Sequence, residues 1–154
     1  VIRRACTVQK VLLPAEISPV CTLFAATEAR AKAASEIKAL CLDQTLASNN
    51  TAWVQTFVKP CCDALAAVPP ALEDAGIAKT RGILVEVLMR TPQGDAAKAS
   101  AADIFAALLS VAQKDVTENA SNATKYMFEL LKGYKGAMEA QAHQFLEFGQ
   151  QVSD

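Results

Sequence analysis

Five cysteines and one histidine are the side chains best suited to chemistry, and their spacing limits what that chemistry can be. Cys6, Cys21, Cys41, Cys61 and Cys62 precede residue 63, whereas His143 lies far along the chain. No Cys-x-x-Cys pair is present, so a structural zinc site is not expected. Two uses of the thiols stand side by side. In an oxidising compartment they are disulfide candidates with one thiol left over; in a reducing one they are small buried hydrophobes. Twenty helical residues between Cys21 and Cys41 would separate them by about 30 Å, against the ~7 Å that a disulfide tolerates. Bridging the adjacent Cys61 and Cys62 is strained, so any pair must join different helices, with Cys6 and Cys61 or Cys62 as partners for Cys21 and Cys41. A reactive vicinal pair at Cys61-Cys62 is a further use, although Lys59 is the only base beside it.

Glu139, His143 and Glu147 recur every four residues and share one helix face. Carboxylate bundles that hold metals use Glu-x-x-His and ligands from other helices, and Ala140 stands where that glutamate would be. The trio therefore reads as a solvated face. No Gly-x-Ser-x-Gly, phosphate loop or dinucleotide fingerprint is present. No catalytic residue, metal or cofactor is expected, and the chain reads as a non-enzyme. The aromatics have two readings. Trp53 with Phe57, and Phe145 with Phe148, suit a helical core, or else contact an apolar small molecule (lipid or pigment) or a protein partner.

Charge narrows the partners. Fifteen Lys and Arg face sixteen Asp and Glu, spread evenly along the chain, so there is no footprint for nucleic acid. No apolar run reaches the roughly 18–20 residues of a membrane span. Three of the four asparagines, Asn49, Asn119 and Asn122, open Asn-x-Ser/Thr triplets. They are either glycan acceptors or helix-start chemistry. Taken with the cysteines, they favour a secreted or organelle-lumenal protein, and Val1-Ile2-Arg3-Arg4 reads as a processed start whose targeting segment lies outside this sequence.

These side chains must be carried by helices. Thirty of the 154 residues are alanine, the best helix former, against six glycines and six prolines. The spacing predicts a short helix over 3–13, stopped by Pro14, and a long one from Pro19 to Ala47 on Val20, Leu23, Phe24, Ala31, Ala34, Ile37 and Cys41. Another begins at Asn50 or Thr51 and reaches Val68, with a kink or break at Pro60. Residues 70–90 contain the strand-like run Gly82–Met89, but a lone strand would leave its edges unpaired, so a helix is expected. Thr91-Pro92-Gln93-Gly94 reads as a turn. Helices then cover Asp95–Lys114, or start late at the Ser100–Asp103 capping box, and about 115–148, where Gly133 and Gly136 offer a bend.

One domain is expected: an all-α, up-and-down bundle of four long helices plus one or two short ones. Three families share short features with it. Cys61-Cys62 resembles plant lipid-transfer proteins, which carry a later Cys-x-Cys absent here. Five cysteines on a helical chain of this length resemble plant pectin methylesterase and invertase inhibitors, whose close first pair is missing. Thr51-Ala-Trp53 and Lys125-Tyr126 resemble parts of the four-helix extrinsic subunit of photosystem II. None assigns a function. The expected role is a non-catalytic subunit docking on a larger protein complex, with a carrier of an apolar molecule as the alternative.

Overall fold

The computed structural model describes residues 19–153 apart from residue 21; the helix expected over 3–13, Cys6 and Cys21 lie outside the described residues. Those residues form an all-α structure without strands. The expected single helix from Pro19 to Ala47 is broken twice. A turn over 23–25 precedes α1 (Thr27–Cys41), because the Leu23 carbonyl accepts from Arg30 Nε at 2.8 Å and Thr80 Oγ1 at 3.2 Å. A second break falls at Leu42-Asp43, where the Asp43 carboxylate caps the short α2 (Gln44–Ala47) through the Thr45 and Leu46 amides. An aspartate at that spot competes well for the cap position, and the apolar periodicity hides the break.

The break expected at Pro60 does not occur: the helix continues through it. The chain runs through α3 (Asn50–Trp53), a π turn (Val54–Val58) and α4 (Lys59–Ala67). A proline ring crowds the carbonyl four residues back and cannot donate. Widening the preceding turn, so that the Lys59 amide reaches Val54, accommodates the ring while the helix goes on. The run 82–89 is helical, within α5 (Ala75–Met89), whose start is fixed by the Asp74 carboxylate.

α6 (Asp95–Lys114) begins at the early limit. Gly94 offers no side chain as a cap, and Asn50 of α3 substitutes for it, accepting from the Ala97 amide at 2.8 Å and donating to the Pro92 carbonyl at 2.9 Å. After the two-residue joint Asp115-Val116 comes α7 (Thr117–Gly133). Gly136 then takes a positive φ of 83°, which side-chain-bearing residues avoid, and the chain turns into α8 (Glu139–Ser153).

The core lies among α3, α4, α5, α6 and α7. Trp53, Phe57, Leu84, Leu88, Ile104, Phe105, Leu108 and Met127 are fully buried there, and the longest helix contact is α6 along α7. α1 contributes Ala33 and Ile37 to the same core. No helix among the described residues is long and apolar enough to cross a membrane.

Candidate functional site

The most elaborate polar construction sits inside the core. Arg81 of α5 is 0 % exposed. Its Nε donates to Asp115 Oδ2 at 2.6 Å, and its Nη1 donates to the carbonyls of Leu65 (3.0 Å) and Val68 at the end of α4. The other Asp115 oxygen accepts from the Val116 amide at 2.8 Å and from Asn119 Nδ2 at 3.1 Å. Asn119 Nδ2 also donates to the Ala78 carbonyl at 2.9 Å. One cation thus satisfies the loose carbonyls of a helix end and a carboxylate at the α6–α7 joint. No buried side-chain nitrogen or oxygen among the described residues lacks a hydrogen bond. These bonds tie α5 to the end of α4 and to the α6–α7 joint.

The sequence signal for it exists. Arg81 lies three and seven residues before Leu84 and Leu88, on the same inward stripe, and a cation in that register has to find a buried partner. Asp115 and Asn119 read only as helix-start and triplet residues, since their partners are distant in sequence.

The expected site residues scatter. Trp53 and Phe57 stack in the core with ring centroids 4.7 Å apart, and the Trp53 indole donates to Thr91 Oγ1 at 3.3 Å. Phe148 is at the core edge; Phe145 is half-buried against Phe128, 6.4 Å between centroids. Glu139, His143 and Glu147 are exposed, and no three metal-binding side chains converge among the described residues.

Among the described cysteines no pair lies at disulfide distance, and pairings through Cys6 or Cys21 fall outside the described residues. Cys41, Cys61 and Cys62 are free thiols with no pair at bonding distance. Their placement explains it: Cys61 is sealed in the core, Cys62 faces a groove between α4 and α6, and Cys41 lines another between α1 and α5. Burial pushes the Cys61 thiol well above its ordinary value, with Cys62 and Cys41 adding to the rise. Burial likewise drives Cys62 up to about 12, helped by Asp63 and Asp103. A reactive vicinal pair needs thiolates, and these thiols stay protonated at neutral pH.

Grooves and exposed apolar side chains, Leu42 and Leu72 among them, mark the surface. The α4–α6 groove, about 520 Å³, is floored by Ala66, Ala106 and Ala107 and edged by Lys59, Asp63 and Asp103. At the other end of the chain, large apolar side chains stand in solvent: Leu146 and Val152 of α8 are 65 % and 69 % exposed, and Phe128 of α7 is 51 % exposed. Comparison with family models, with curated proteins and with solved structures finds no match.

Proposed function

We propose that the chain is a non-catalytic helical assembly subunit that docks on a larger protein complex in a lumenal or extracellular space. One observation carries this: Leu146 and Val152, on a helix whose main contacts are only with α6 and α7, stay uncovered near the half-buried Phe145. A helix that keeps its apolar residues on more than one side gains by meeting a second surface. The saturated polar centre and the protonated thiols also fit a part that binds rather than reacts.

The proposal includes a finer architecture: α3 to α4, α5, α6 and α7 as the staves of an up-and-down bundle. The two-residue joint between α6 and α7 and the packing of α5 on both α4 and α7 support it. The carrier alternative has less support, because Trp53 and Phe57 are each about 1 % exposed within the packed core.

Size-exclusion of gently extracted source material tests the proposal. The chain should elute with a larger complex, and the Leu146→Asp/Val152→Asp variant should shift to monomer size while keeping its helical circular dichroism. A wild-type chain that elutes wholly as a monomer overturns it.

A further inference from the structure

Three Asn-x-Ser/Thr triplets look alike in sequence, and the structure separates them atom by atom. N-glycosylation consumes one hydrogen of the amide nitrogen Nδ2 and leaves Oδ1 free to accept. Asn119 cannot meet that demand in the folded chain. It is 5 % exposed, its Nδ2 donates to both the Ala78 carbonyl and Asp115 Oδ1, and its Oδ1 stands 2.7 Å from where a Cβ on Gly82 would lie. Asn122 is half-buried on the groove between α5 and α7, beside Leu72 and Val116, and Thr124 of its triplet turns its hydroxyl inward to the Ala120 carbonyl at 2.8 Å.

Asn49 is different. It is exposed in the joint between α2 and α3, as is Thr51 of its triplet. Its Oδ1 accepts from the Ala52 amide at 3.1 Å, the bond that starts α3, while its Nδ2 makes no bond to any described residue. The intervening Asn50 has its own task at the start of α6 and leaves Asn49 unobstructed. Cap and glycan therefore use opposite ends of one amide, and both can exist together.

We propose that Asn49 is the N-glycan acceptor of this chain and that Asn119 is not; this rests on the secretory reading above. Nδ2 attacks the anomeric carbon of a lipid-pyrophosphate oligosaccharide, the sugar–oxygen bond breaks, the lipid pyrophosphate leaves, and the amide proton passes to a base of the transferase. The new N–C bond points to solvent.

The test translates the full chain, behind a cleavable signal, into microsomes and maps the protease-resistant product by endoglycosidase and mass spectrometry. One glycan at Asn49 is expected. Asn49→Asp, which keeps the cap, and Thr51→Ala, which keeps Asn49, should each abolish it without loss of helicity. A resistant product modified at Asn119, or at Asn122 with Asn49 bare, overturns the assignment. The same map on source material separates the two claims: a bare Asn49 there, with a glycan in microsomes, removes the secretory reading and supports the site.

Discussion

Replacing Arg81 by methionine keeps the length and most of the apolar stem but deletes the cation that ties α5 to the end of α4 and to the α6–α7 joint. Three losses follow. Asp115, 1 % exposed at its side chain, becomes a buried charge without its partner, and the carbonyls of Leu65 and Val68 lose a donor. Breaking one side of a buried ion pair costs about 3–5 kcal/mol, and an orphaned buried acceptor about 1–3 kcal/mol. The terms share one side chain and do not add, so a loss of about 4 kcal/mol is expected. Against a total stability of roughly 5–15 kcal/mol, this leaves a folded but weakened protein.

Urea unfolding followed by far-ultraviolet circular dichroism reads it directly, with an unchanged m value confirming that the native state is intact. A second variant isolates the charge: Arg81→Met/Asp115→Asn keeps an acceptor for Val116 and neutralises the orphan, so it should regain part of the loss. A deficit below about 1 kcal/mol in Arg81→Met, or no recovery in the double variant, refutes the view that this pair is desolvated and essential.

Gly82→Ala should destabilise by about 1–2 kcal/mol although alanine favours helices by about 1 kcal/mol, because its Cβ meets Asn119 Oδ1; urea midpoints decide the sign. Asn50→Ala should cost about 1–2 kcal/mol by uncapping α6, with its amides at 95–98 losing exchange protection first. Alkali should unfold the chain progressively. Burial keeps Cys62 protonated to about 12 against an ordinary 9.0, and Tyr126 to about 12 against 10.0, whereas the unfolded chain loses these protons earlier. The folded state therefore binds more protons above pH ~9, and stability falls by up to about 1.4 kcal/mol per pH unit per group. Urea midpoints that stay level from pH 8 to 11 would contradict this. Amides of α8 should exchange faster than those of α5 to α7, because Phe148 is its one buried side chain among the described residues.

Apolar spacing was enough to expect the all-α class, because Ile104, Phe105, Leu108 and Val111, or Trp53, Phe57 and Cys61, recur with the helical period whatever they pack on. The interruptions were harder to see. Asp43 ends one helix and caps the next without disturbing the period, and Pro60 is absorbed by a π turn that no local propensity announces. Tertiary substitutions were hidden altogether: Asn50 caps a helix that begins 45 residues later, and its sequence neighbours show only a start signal for its own helix. The same holds for Arg81, whose partners Leu65 and Asp115 lie 16 and 34 residues away on either side.

That distribution bears on what the molecule is for. Among the described residues every buried side-chain nitrogen and oxygen has a hydrogen-bond partner, at a cost in desolvation that a leucine core of equal volume would avoid. The network fixes the end of α4 against the start of α7, so the angle at which α7 leaves the core is set by hydrogen bonds of definite direction, not by sliding apolar surfaces. α7 in turn carries Phe128 and the turn that launches α8. Such a directional interior fits the assembly role proposed above, in which one surface is presented to a partner in a fixed pose.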